Sequence, residues 1–420
     1  MFQNKYIYSV IFIFLFIISY LFKLDLSGGS AVDLETHWNF IQKLKTIGLF
    51  NIFELTLGDK SVDGLDSKLL NFPLHHIIFS QIYLINSNKI FFQNFYFILS
   101  FLIPFLFYLC CKERFTKIYK GNLILFCSLI FALPNFQSAS IWGNNQNTAL
   151  IFFLISIYFF IKLENSSKYI SSYLFCSFLF LFLASYTKQY FVVFFPIIFI
   201  KSFFKFRFTI FPATLLSSIF AFPGLYYLHE NPALYNNLIF SATDFRSSIF
   251  VVLSILCFYL IPFFLLQLRS KEITFDHIFI NRLYLTCILI FFLFAYFFSK
   301  SFFYHSEIGG GIFIKLNNLL FNDYKYFIFL SCFLSMILFY YSTKKIDDLI
   351  LTLILLISFS SGWFIFQKYF EPMYIIVFVL MYKKELIQSL LNRKLDYVYL
   401  YFLFYWLCYF LYRYHKIYIT

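Results

Sequence analysis

Tyr169–Ile200 reads YISSYLFCSFLFLFLASYTKQYFVVFFPIIFI, and between Lys168 and Lys201 its only charged side chain is Lys188. A stretch this apolar has no water-facing side, so it does not read as a surface helix of a soluble domain. It reads as two membrane-length helices meeting at Ser185-Tyr186-Thr187-Lys188-Gln189-Tyr190. A lysine at such depth costs roughly 2.5–3.5 kcal/mol unless it snorkels to the interface or meets an anion, so Lys188 is a functional candidate.

The rest of the chain repeats the pattern. Of 420 residues, 61% are hydrophobic, 25% aromatic and 13% charged, with mean hydropathy +0.78. Runs near 6–24, 90–111, 121–138, 147–163, 169–187, 190–204, 209–228, 247–268, 278–299, 325–342, 348–366, 370–382 and 396–412 read as spans. The expected fold is all-α, a polytopic membrane protein of about eleven to fourteen transmembrane helices, because lipid leaves the backbone no partner but itself. Residues 6–24 are expected to be a retained first span and not a signal peptide, and 73–87 a short helix dipping in from the outer face. The chain reads as one transmembrane domain over 1–420, with a long first extracytoplasmic loop at 25–74.

Charge assigns the sides. Basic clusters at Lys112/Arg114/Lys117/Lys120, Lys162/Lys168, Lys201/Lys205/Arg207, Arg269/Lys271, Lys344/Lys345 and Lys383/Lys384 fall on alternate turns, the expected cytoplasmic ones. The net charge of +13 is thus ascribed to the positive-inside rule and lipid headgroups, with no nucleic acid as partner. The Phe, Ile, Lys and Asn bias favours a bacterial inner (plasma) membrane, with the endoplasmic reticulum membrane as the alternative. The eight cysteines show no metal-ligand spacing and read as small packing residues.

The wet first loop carries Asp25, Asp33, Glu35, Glu54, Asp59, Asp63 and Asp66, seven of the chain's twenty acids. Its centre is Val32-Asp33-Leu34-Glu35-Thr36-His37-Trp38. In a helix Asp33 and His37 share a face with Glu35 turned away; in a strand all three point the same way. The competing structural reading makes Asp33 the N-cap of a helix over 35–45.

Three more turns on the same side are polar. Ser138 to Asn147 packs Asn144, Asn145, Gln146 and Asn147 beside Gly143, uncharged donors and acceptors that suit sugar hydroxyls or a phosphate. The second turn holds Lys188 and Gln189, and the third, Gly362 to Pro372, holds Lys368 beside Glu371. A carboxylate can act as general base toward a hydroxyl, and lysines at the lipid boundary can hold a phosphate leaving group.

With these parts in view, the chain resembles the multi-pass glycosyltransferases of the GT-C superfamily, and among them the lipid-linked-oligosaccharide glucosyltransferases of the asparagine-glycosylation pathway. Asp33-Leu-Glu35-Thr-His37-Trp38 is similar to the family's Asp-x-Glu followed by His-Trp, and Asn71-Phe72-Pro73-Leu74 to its aromatic-Pro-Pro-Leu. Gly143-Asn-Asn-Gln146-Asn147 resembles the Gly-His-Phe-Gln-Tyr-Asn turn, and Lys188-Gln189 with Phe195-Pro196 the Lys-Gln motif and its proline. Gly362-Trp363 with Gln367-Lys368 resembles Trp-His-Val-His-Glu-Lys more distantly, since Phe364, Phe366 and Gln367 replace the two His and the Glu. Asp33 and His37 lie closer together than in the family, and one Pro is missing beside Pro73.

The resemblance implies a hexosyltransferase of the GT-C fold that moves a sugar from a polyprenyl-phosphate donor to a lipid-linked glycan or other hydroxyl acceptor, with inversion. It implies Asp33 as general base, Glu35 and His37 in support, and Lys188, Gln189 and Lys368 at the donor phosphate. No cofactor is expected; the acids at 33, 35, 59, 63 and 66 are oxygen ligands of the kind a divalent metal takes, but general-base chemistry does not call for one. The alternatives are an O-antigen-type polymerase or ligase, and a polytopic transporter or flippase. Against the first, 300–325 contains no Arg; against the second, the acids collect in a loop and the chain shows no internal repeat.

Overall fold

The structure is a computed structural model that describes residues 5–48, 72–166, 168–230, 245–269, 311–321, 326–342, 346–360 and 365–418, and every regular element among them is a helix. They fall into two compact units, residues 1–238 with 404–420, and residues 239–403. In the first unit run α1 (Lys5–Leu21), α2 (Ser30–Ile47), α3 (Leu74–Ile85), α4 (Lys89–Ser100), α5 (Leu102–Arg114) and α6 (Lys120–Ser128). These are followed by α7 (Pro134–Ile141), α8 (Asn145–Asn165), α9 (Ile170–Ser185), α10 (Phe194–Phe206), α11 (Phe211–Ser218) and α12 (Phe222–Glu230). The second unit holds α13 (Phe245–Arg269), α14 (Gly311–Phe321), α15 (Tyr326–Ser342), α16 (Ile346–Ser360), α17 (Met373–Met381) and α18 (Lys384–Leu391). The last helix, α19 (Asp396–Tyr418), begins there and ends among the residues of the first.

Helices stand at every expected apolar run the structure describes, but many are shorter than a bilayer needs. Three are long and apolar enough to cross a membrane: Lys89–Arg114, Asn145–Asn165 and Ile249–Arg269. Two bent pairs, Lys120–Ala132 with Pro134–Ile141 at 70° and Lys384–Leu391 with Asp396–Tyr414 at 87°, raise that to five. The expected eleven to fourteen spans are thus not reached among the described residues. Hydropathy does not register where a helix breaks. Pro134, which has no amide hydrogen to donate, cuts the run 121–138, and 3₁₀ turns at Gln189–Val193, Arg207–Ile210 and Ile219–Ala221 interrupt the runs after Lys188. The run at 278–299 lies outside the described residues.

The axis of the first unit is α8. Its 21 residues make a rod of about 31 Å, packed against α9 and α5, with Leu150, Phe153, Leu154, Ile157 and Phe160 buried. Ser156 Oγ donates to the Ser177 carbonyl (2.7 Å), a polar clasp inside the α8–α9 seam. The C-terminal end of α8 is ringed by charge: Lys162 pairs with Glu113 (3.2 Å), Arg114 with Glu164 (4.0 Å), and Lys205 meets the Glu164 carbonyl. The N-terminal end is where the amides of 144–147 sit. Along α10–α12, Phe204, Phe208 and Leu215 are 75%, 75% and 74% exposed, an apolar flank that water does not favour.

In the second unit α13 packs against α14, α15 and α16. Tyr259 on α13 donates to Glu371 Oε2 (2.6 Å) and accepts from Gln367 Nε2 (3.2 Å), while Gln367 Oε1 accepts from the Ile312 amide (3.0 Å).

Candidate active site

The stretch around Asp33 is a helix, so of the two sequence readings the helical one applies. It starts at Ser30, five residues before the helix expected with Asp33 as N-cap, and that capping reading is corrected. Asp25 serves the helix start: Oδ1 accepts from Ser27 Oγ and the Gly28 amide (both 3.0 Å), and Oδ2 from the amides of Gly29 (2.9 Å) and Ala31 (3.2 Å). Gly28 turns the chain in the left-handed region (φ 77°) so that these amides converge. Asp33 stands inside the first turn, where an acid also suits the helix dipole. Asp25→Ala is expected to cost about 1 kcal/mol and to speed amide hydrogen exchange over residues 28–34. Unchanged exchange there would show that the helix start holds without the carboxylate.

Around α2 the side chains part company. Leu34, Trp38 and Ile41 pack on Phe79, Phe92 and Tyr96, which fixes the rotation of the helix against α3 and α4. That rotation sends Glu35 outward to an ion pair with Lys89, where its side chain is 63% exposed. Half-buried Asp33 turns the other way, and its Oδ2 accepts from Asn144 Nδ2 (2.9 Å). His37, one turn on, is buried, and its Nδ1 lies 2.9 Å from Nε2 of His76. One of those nitrogens must donate and the other accept, so the two rings are not both imidazolium.

His75 and His76 open α3, a helix of 12 residues, too short to span. Burial first, and then the neighbouring His37 and Lys188, hold both imidazoles well below the ordinary histidine pKa, so they are neutral at pH 7. His75 Nδ1 meets Thr148 Oγ1 (2.9 Å), Thr148 meets the Tyr96 hydroxyl (3.2 Å), and that hydroxyl donates to the Asn144 carbonyl. A buried polar string thus runs from α3 through α8 and α4 to the turn that touches Asp33.

The turn itself is set by Gly143, at φ 62° with Phe92 so close that a Cβ would lie 2.6 Å from its Cε1. After it Asn144 N-caps α8, its Oδ1 accepting from the Gln146 amide (3.1 Å). Asn147 Nδ2 donates to Ser140 Oγ (2.9 Å). Ser138 Oγ accepts from the Ser27 amide (2.9 Å), tying the segment before α2 to α7. Asn145, Gln146 and Asn147 are all buried. Several polar atoms here are buried with no hydrogen-bond partner among the described residues: His75 Nε2, His76 Nδ1, both side-chain atoms of Asn145, and Asn147 Oδ1. Such atoms are rare, and each costs about 1–3 kcal/mol.

Lys188 arrives from the break after α9. Its backbone is extended, its amide bonded to the Ala184 carbonyl (2.9 Å), its side chain 8% exposed, and its charge acts on His75 and His76. The end of the first loop is docked on the same break: the Leu74 amide donates to the Tyr186 carbonyl (3.1 Å), and Phe72 packs against Tyr186 and Tyr227. Gln189 starts the 3₁₀ turn that follows and is half-buried.

The structure therefore brings together Asp33, His37, Asn144–Asn147 and Lys188, three turns that charge alternation assigns to one side. Glu35 stands apart, at its surface ion pair. Lys368 belongs to the second unit, half-buried with Nζ 5.1 Å from the Phe366 ring centroid. Glu54, Asp59, Asp63 and Asp66 lie outside the described residues, and among the described residues no three His, Cys, Asp or Glu are grouped to hold a metal ion. Sequence reasoning missed His75, His76, Tyr96 and Thr148. The adjacent His pair just after Pro73-Leu74 was a usable signal; Tyr96 and Thr148 carry none. No family model, no curated protein and no solved structure matches this chain.

Proposed function

We propose that this chain is a multi-pass membrane glycosyltransferase, moving a sugar from a polyprenyl-phosphate donor to a hydroxyl acceptor with inversion at the anomeric carbon. The observation that carries the reading is the half-buried Asp33 carboxylate, held by Asn144 beside neutral histidines, with the charge of Lys188 acting on the same histidines. The acceptor oxygen attacks the anomeric carbon as its proton passes to Asp33. The bond from that carbon to the phosphate oxygen breaks, and polyprenyl phosphate leaves with the electron pair, its charge met by Lys188. The buried polar atoms of Asn145, His75 and His76 are neutral donors and acceptors of the kind sugar hydroxyls satisfy. The apolar flank along α10–α12 and the basic ring at the far end of α8 support a membrane setting with the site on the extracytoplasmic side. Glu35, at its surface ion pair with Lys89, is left out of this chemistry.

The test is transfer in proteoliposomes with a panel of radiolabelled polyprenyl-phosphate sugars and a lipid-linked glycan acceptor. One donor is expected to give a product of inverted anomeric configuration with release of polyprenyl phosphate. Flipping of the lipids across the bilayer without any glycosidic product would sink the reading in favour of a transporter.

A further inference from the structure

Every polar atom of Asn144 is engaged inside the fold, on a residue only 4% exposed. Its amide donates to the Ala139 carbonyl (3.0 Å), and its carbonyl accepts from the Tyr96 hydroxyl and the Asn147 amide (3.2 Å). Its Oδ1 accepts from the Gln146 amide (3.1 Å), and its Nδ2 donates to Asp33 Oδ2 (2.9 Å). Oδ1 and Nδ2 lie in one rigid plane, so a side-chain oxygen fixed at the start of α8 fixes the direction in which the NH2 group points. That direction ends on the carboxylate in the first turn of another helix, α2. The backbone of the same residue is braced from behind by Tyr96, which Thr148 and His75 hold in turn.

We infer that Asn144 is a positioning residue for Asp33 and not a sugar contact, as its place among the four amides had suggested. The inference rests on the proposed transfer reaction. With Oδ2 engaged by the amide, the carboxylate does not spin about its terminal torsion, and the acceptor's proton goes to the other oxygen. A general base is worth most when its geometry is set before the substrate arrives, since a misplacement of about 1 Å can cost about 10²-fold in rate.

A helix cap alone would explain the bond to Gln146, so the test must separate capping from positioning. Asn144→Ser and Asn144→Asp both keep a good N-cap. Serine removes the donor; aspartate replaces it with a second carboxylate facing the first. Under positioning, Asn144→Ser lowers kcat by about 10–10²-fold with KM for the donor within about two-fold of wild type. Asn144→Asp, which also lacks the donor, lowers kcat at least as far. Wild-type kcat in both variants leaves only the cap and overturns the proposal; a raised KM with kcat intact makes Asn144 a substrate contact and overturns it equally.

Infrared difference spectroscopy reads the contact without turnover. The carboxylate stretch that disappears in Asp33→Asn is expected to shift in Asn144→Ser. An unshifted band overturns the positioning role whatever the assay gives, whereas a shifted band in a chain that transfers no sugar overturns the transfer reading alone.

Discussion

Asp33→Asn is expected to lower sugar transfer by about 10²–10⁴-fold while leaving the fold and donor binding intact. Asparagine has nearly the volume of aspartate, and its Oδ1 can still accept from Asn144 Nδ2, so the bond between the starts of α2 and α8 survives. The helix start is also safe, because Asp25 and not Asp33 receives its amides. What the substitution removes is the capacity to take a proton at neutral pH. The fall should therefore appear in kcat with KM for the donor little changed, the pattern of an interaction made in the transition state. Transfer at the wild-type rate would leave Asp33 a first-turn acid with no catalytic part, and the mechanism would have to be abandoned.

Gly143→Ala is expected to be the most destabilising small substitution at the site, by about 2–5 kcal/mol. Two independent costs add. At φ 62° any Cβ crowds the following carbonyl, and here it would also stand 2.6 Å from Phe92 Cε1. Phe92 has little room to give way, being 2% exposed and packed among Trp38, Phe79 and Tyr96. The thermal midpoint in detergent and hydrogen exchange over 140–150 measure the loss. Adding Phe92→Leu is expected to recover part of the packing cost and none of the backbone cost, so the double variant should lie between Gly143→Ala and wild type. An alanine variant as stable as wild type would mean that the turn is not locked, and Asn144 would lose its fixed aim as well.

Much of this protein was legible before any tertiary contact was known. Apolar runs located the helices, because a segment without a polar face has to close its own hydrogen bonds. Polarity marked the candidate residues: Asp33, His37, the amides of 144–147 and Lys188 are the groups that apolar neighbours leave conspicuous, and charge alternation assigned their three turns to one side. Sequence could not settle every place where helices break, since Pro134 and the 3₁₀ turn at Ile219–Ala221 interrupt runs that hydropathy reads as continuous.

Nor could it divide labour among neighbours of the same chemical kind. Asp25 and Asp33 are both acids beside a helix start, yet one caps and the other faces Asn144. Glu35, two residues from Asp33, is carried to a surface ion pair because Leu34, Trp38 and Ile41 fix the rotation of α2. Asn144 and Asn145 look equivalent in sequence, but the first is wholly engaged and the second has two buried atoms without partners among the described residues. His75 and His76 sit in an apolar run and gain their meaning from Thr148 and His37, residues distant in the chain. Composition and periodicity determine which segments bury themselves and which residue types are left polar. Which polar atom meets which partner depends on helix rotation and on hydrogen bonds between distant segments, and only the tertiary structure decides that.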